Sequence, residues 1–181
     1  MNYIPLQVIS GYSFLSSGLK LEDLVRISKQ NELDFCCCSE IENMYSFPHV
    51  NELALKNNLK PVFGTGLNIS INDKTLLVYL YIQNEEGYLN LCKIISSDHT
   101  IKSLNEHSEG LIMVIPTISN EELSNVLERS QEDASKVLFA LTKNFKHVYL
   151  GIEYYFKENK KLVEKYREFA SKYSYEKSRF P

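Results

Sequence analysis

The 181-residue chain has no tryptophan, only seven glycines and five prolines, and no apolar run near the length of a membrane span. A helix needs about 20 predominantly apolar residues to cross a bilayer, so a helical membrane protein is excluded. So few glycines and prolines exclude a collagen-like or low-complexity chain. The N-terminus "MNYIPLQ" has neither the basic start nor the apolar stretch of a secretory leader, and a cytoplasmic location is expected. Cysteine is also scarce. Of the four, Cys36, Cys37 and Cys38 are consecutive, a poor basis for a disulfide framework. There is no excess of positive charge: 20 Lys and Arg stand against 23 Asp and Glu, a net charge of −3. A domain that grips nucleic acid by its phosphates is normally basic, so DNA is expected to be reached only through a larger assembly.

What is present is an ordinary globular balance, 44% hydrophobic and 24% charged, over a length that suits one core. A single domain over residues 1–181 with no internal boundary is expected. Short apolar runs alternate with amphipathic stretches, the pattern of parallel strands joined by crossover helices. The runs "YIPLQVI", "DFCCCS", "KPVFGTGLNISI", "KTLLVYLYIQ", "GLIMVIP" and "HVYLGIEYY" read as strands. Helices are expected at 20–31, with Leu21, Leu24, Val25 and Ser28 on one face, and at 47–58, with Pro48 in its first turn and Asn58 closing it. Further helices are expected at 84–96, 120–128, 131–143 and 158–173. Asn84 would cap the third, whose apolar stripe is Tyr88, Leu91, Cys92 and Ile95. Ser119 and Glu122 have capping-box spacing before the fourth, and Leu162, Tyr166, Phe169 and Tyr173 share a face of the last. Five or six β units with intervening helices suit a doubly wound sheet or a β/α barrel. Either would place functional groups near Ile9 to Ser13, Ser39 to Asn43, Gly64 to Gly66, Pro116 and Glu153.

Those strand ends carry a resemblance. In order, "IPLQVISGYSFLSSGLKLEDLV", "CCCSEIENMYSF", "NLKPVFGTGLNI", "NEEGYLNLCKI", "HSEGLIMVIPT" and "VYLGIEYY" are similar to the N-terminal polymerase-and-histidinol-phosphatase (PHP) domain of bacterial DNA polymerase III alpha subunits, collinear over about residues 3–156. The resemblance implies a distorted (β/α)7 barrel, incomplete in this chain. It also implies a set of metal-ligand positions that this sequence has largely lost. The first family motif, H-x-H-x-H-S-x-Y-S, keeps Ser10, Tyr12 and Ser13 but has Pro5, Gln7 and Ile9 where the histidines stand. The second, T-D-H-G-N-M, becomes Ser39, Glu40, Ile41, Glu42, Asn43 and Met44. The ligand glutamate of G-x-E falls on Gly66, and that of Y-L-E falls on Gly151.

A metal site needs several N, O or S donors converging at about 2.0–2.3 Å, and of these vestigial positions only Glu40 is a strong donor. No catalytic residue, bound metal or cofactor is therefore expected in this segment, and magnesium is implied only for the parent polymerase. The expected role is a catalytically silent scaffold whose partners are the remaining polymerase domains and a proofreading exonuclease, with DNA met through the parent assembly and no membrane contact. The alternatives are a metal-dependent phosphoesterase or 3'-5' exonuclease with substituted ligands, and a free-standing binding module. A rebuilt site from Asp98, His99 and Glu40 is conceivable. Cys36, Cys37 and Cys38 read as small buried hydrophobes, since in a strand the middle side chain points away from its neighbours. Cys92 reads as core on a helix face. The Lys- and Arg-rich C-terminus reads as a solvated helix face laced with glutamates.

Overall fold

The structure is a computed structural model describing residues 5–71, 74–116, 119–151 and 160–177. Among them one five-stranded sheet runs in sequence order: β1 (Phe35–Ile41), β2 (Lys60–Ile71), β3 (Lys74–Ile82), β4 (Leu111–Pro116) and β5 (His147–Gly151). The helices are α1 (Leu21–Gln30), α2 (Phe47–Lys56), α3 (Glu85–Ile95), α4 (Ile101–Glu106), α5 (Glu121–Arg129), α6 (Gln131–Thr142) and α7 (Lys160–Lys177). β1 pairs parallel with β2, and β4 with β5, whereas β3 lies antiparallel to both neighbours. The expected pattern of parallel strands joined by crossover helices holds for β1–β2 and β4–β5 but not at β3, because the two residues between β2 and β3 are far too few for a crossover. The sheet does not close, which suits an incomplete barrel.

The expected first strand is also corrected. Residues 5–10 form no regular strand, although they run beside β1, where the Val8 carbonyl accepts from the Ser39 amide at 2.7 Å. Residues 1–4 lie outside the described residues.

One sheet face carries Leu67, Ile69, Leu76, Val78, Leu80, Met113 and Ile115 into the main core, which Leu91, Leu104, Leu123, Leu138, Tyr166 and Phe169 complete from α3 to α7. Cys36 and Cys38 pack on that side against α1 and α2, with Leu24, Val25, Val50 and Ala54. The opposite, inner face gathers Cys37, Tyr79, Tyr81 and Val114. Alternation along each strand makes these two faces distinct.

The helices follow local chemistry. α1 buries Leu21, Leu24, Val25 and Ser28, the expected stripe. Pro48 occupies the first turn of α2, and Asn58 follows the helix with φ 57°. Asn84 caps α3 by accepting from the Gly87 amide at 2.9 Å. The stripe of α3 is rotated from the expected one: Gly87, Asn90, Leu91 and Ile94 are buried and Tyr88 is exposed. Asn120 rather than Ser119 occupies the N-cap of α5, its amide donating to the Leu77 carbonyl at 3.0 Å. Ser130 caps α6 through the Asp133 amide, and the short α4, capped by Thr100, has no counterpart in the sequence reading. In α7, Val163, Tyr166 and Phe169 are buried. The side chains of Leu162 and Tyr173, expected on the same face, lie outside those described, as does Glu153.

Candidate functional site

Glu40, next to last in β1, is completely buried. Its two carboxylate oxygens accept hydrogen bonds from the Ser10 and Ser13 hydroxyls, and the Cys38 thiol donates to Oε1 at 3.1 Å. Cys38 also lies 3.4 Å from the Ser46 hydroxyl. Burial pushes the carboxyl up, but donation from Ser10, Ser13, Ser46 and Cys38 outweighs it and holds the group below its ordinary range. Among the described residues no ion pair reaches it, so hydroxyl and thiol dipoles carry the charge. Ser10 and Ser13 come from the end of the first extended segment and the loop after it, and Ser46 from the N-cap of α2. That loop is further tied by Ser13 accepting from the Ile41 amide at 2.9 Å and by Tyr12, whose hydroxyl lies 2.8 Å from Nδ1 of His49. Glu40 therefore works as an anchor, joining the loop to the sheet edge.

The same alternation that buries Glu40 beside Cys38 turns it away from the inner face. There Ser39 and Ile41 project. The Ser39 hydroxyl donates to the Leu6 carbonyl and lies 3.2 Å from the Tyr81 hydroxyl, which donates to that carbonyl at 2.7 Å. Across the β2–β3 ladder Gly64 faces Tyr81 and Gly66 faces Tyr79. The two tyrosine rings stack with centroids 6.5 Å apart and lie over the glycines. A Cβ on Gly66 would come within 2.8 Å of Ile41 Cδ1 and 2.9 Å of Tyr79 Cε1. Burial drives the Tyr81 hydroxyl well above the usual phenol range, so it stays neutral.

The vestigial positions are thus divided. Ile41 and Gly66 meet on the inner face, Glu40 faces the helices, and Pro5, Gln7 and Ile9 sit half-buried in the segment beside β1. The donor set does not fit a metal ion. Proline, isoleucine and glycine side chains offer no lone pair, Gln7 offers a single neutral amide oxygen, the one carboxylate is saturated on the wrong face, and hydrocarbon fills the space above Gly66. Asp98 and His99 are not brought to Glu40. The His99 carbonyl accepts from Ser70, and its ring lies 3.3 Å from the Ile95 carbonyl. Among the described residues no group of three or more His, Cys, Asp or Glu side chains could hold an ion.

Cys36, Cys37 and Cys38 are buried free thiols, and Cys92 is half-buried rather than core. Burial pushes the Cys37 thiol up to about 12 and raises those of Cys36 and Cys38, so none is a ready thiolate. The sequence reading missed the serine cage around Glu40 and the tyrosine cover. The cover had a signal in Gly64-Thr65-Gly66 and Tyr79-Leu80-Tyr81, two period-two patterns on strands two residues apart. The cage had none, because nothing in the sequence says which face a strand-end carboxylate takes.

The PHP domain family profile matches residues 5–175. The chain belongs to the PHP domain family. Relatives of this PHP domain include the DNA polymerase III subunit alpha of Staphylococcus aureus strain N315, 23% identical over 154 residues and 80% of this chain. The subunits of Rickettsia bellii and Rickettsia felis are 28% and 31% identical over 94% and 76% of the chain. The chain spans only 12–16% of the length of these relatives. Among solved structures, a protein from Bifidobacterium adolescentis described as a metal-dependent phosphoesterase superposes with a TM-score of 0.59 at 9% identity, covering 93% of this chain and 83% of its own. An amidohydrolase from Chromobacterium violaceum, solved with sulfate and no metal, gives 0.57 at 6% identity, covering 92% and 82%. At such identity these two establish the PHP-like fold alone. Among the described residues no helix is long and apolar enough to cross a membrane.

Proposed function

We propose that this PHP domain is a catalytically silent scaffold within a DNA polymerase III alpha-type polypeptide. It packs against the remaining polymerase domains, docks a proofreading exonuclease, and meets DNA, and the polymerase's magnesium, only through that cytoplasmic assembly. The observation carrying this reading is the inner face at Gly66, where Ile41 and the Tyr79 ring occupy the place of a ligand and no donor converges. PHP relatives that cleave phosphoesters need bound ions to activate water and neutralise phosphate charge. Here the chain invests in packing instead.

The test has two arms. Purified protein, dialysed against zinc or manganese, is analysed by elemental mass spectrometry and assayed on a single-stranded oligonucleotide and a chromogenic phosphodiester. Sub-stoichiometric metal and no metal-dependent cleavage are expected; one bound ion per chain with cleavage establishes the substituted-ligand phosphoesterase instead. In the second arm, immobilised protein is expected to retain the other alpha-subunit domains or the exonuclease, and retention of neither overturns the scaffold.

A further inference from the structure

A cavity of about 470 Å³ opens between the β1–α2 loop and α3. Its lining includes Phe47 and Phe63, stacked with centroids 4.8 Å apart, and two further rings, Tyr45 and Tyr88, that are 78% and 46% exposed. Glu42 is the charged residue lining it; no Lys, Arg or His does so among the described residues. The Glu42 carboxylate is oriented by the Asn68 side-chain amide, which donates to Oε1 at 3.1 Å, and it has no ion pair among the described residues. Its backbone is left-handed, with φ 56°, a conformation that favours glycine. The family motif has glycine there. A glutamate thus takes a strained position in the lining of a cavity that also holds two exposed aromatic rings, with its carboxylate hydrogen-bonded to Asn68 at the neighbouring strand.

This combination excludes anionic ligands and selects a planar cation. A guanidinium can lie over a tyrosine face while pairing with a carboxylate, and an apolar neighbour can enter the aromatic floor. We propose that this cavity binds an arginine side chain flanked by a large apolar residue, presented by a segment of a protein partner. The proposal goes beyond the scaffold reading and stands without it, since it names no polymerase component and concerns the aromatic cavity, although Glu42 itself adjoins Gly66, whose carbonyl accepts from the Glu42 amide at 2.9 Å.

The test is an NMR titration of the 181-residue chain with N-acetyl-Phe-Arg-amide, following the ring signals of Tyr45 and Tyr88. The control probe carries citrulline, which keeps the shape and lacks the charge. Saturable shifts at both rings are expected, with the citrulline probe about three- to fivefold weaker. Glu42→Gln should reduce arginine affinity to the citrulline level. Glu42→Gly, which suits the left-handed backbone, should do the same while raising thermal stability, so a folding defect cannot mimic the result. Equal affinity for the two probes, indifference to both Glu42 substitutions, or no saturable shift overturns the proposal. So does displacement of these ring signals by oligothymidylate or by self-association when the arginine probe leaves them unmoved.

Discussion

Glu40 concentrates the residue-scale argument. A buried carboxylate without a cation persists only if hydrogen bonds replace its hydration, and three hydroxyls and a thiol surround it. Glu40→Gln keeps the shape and removes the charge, and should destabilise the fold by about 2 kcal/mol, the scale of a charge-assisted bond, read from the urea midpoint at neutral pH. Ser13→Ala should act similarly, because that hydroxyl also accepts from the Ile41 amide. The carboxyl is held below its unfolded value of about 4.3, so its stabilisation is complete above that value and is lost as pH falls through the folded one. Native protein should therefore lose stability in acid more steeply than Glu40→Gln does; parallel pH profiles would refute the anchor. Gly66→Glu, which restores the family's ligand type, is expected to lower the melting temperature without metal uptake, since its Cβ meets Ile41 and Tyr79.

At the scale of elements, the turn into α3 is the most constrained junction. The Gly87 amide donates to Asn84, the Gln83 amide donates to the Gly110 carbonyl at 3.0 Å, and a Cβ on Gly87 would overlap that carbonyl. Gly110 has φ 73°. Gly87→Ala should thus cost more than Asn84→Ala, which forfeits a cap worth about 1 kcal/mol; thermal melts of the two variants decide the order. Helices α1 and α2 were legible because their faces and breakers, such as Asn58 at φ 57°, are local properties. Strand direction was not. β2 and β3 are apolar on both faces where they are deepest, which imitates buried parallel strands, and only the two-residue gap betrays the reversal. The stripe of α3 was misjudged by one position because Gly87 and Asn90 are buried for backbone contact and for the bond to the Glu109 carbonyl, which hydropathy does not register. Likewise, vestigial ligand positions can be aligned by motif, but the separation of Glu40 from Ile41 and Gly66 depends on strand alternation and loop closure.

For the whole molecule, β3 is central, with β2 and β4 on its flanks and helices over one face, while β5 pairs with β4 alone among the described strands. Local opening follows such gradients. Hydrogen exchange should show β3 amides as the slowest and β5 amides exchanging at least about tenfold faster; the reverse order would mean the open edge is covered in solution. The Tyr79 and Tyr81 rings bear on the molecule's history as well as its stability. Anything that regained an ion would need an acid at 66, an imidazole at 41 and smaller residues at 79 and 81 together, while the first of these steps alone drives a side chain into an occupied wall. Packing thus makes the order of such changes matter: Ile41 and the Tyr79 ring have to give way before position 66 can hold any side chain.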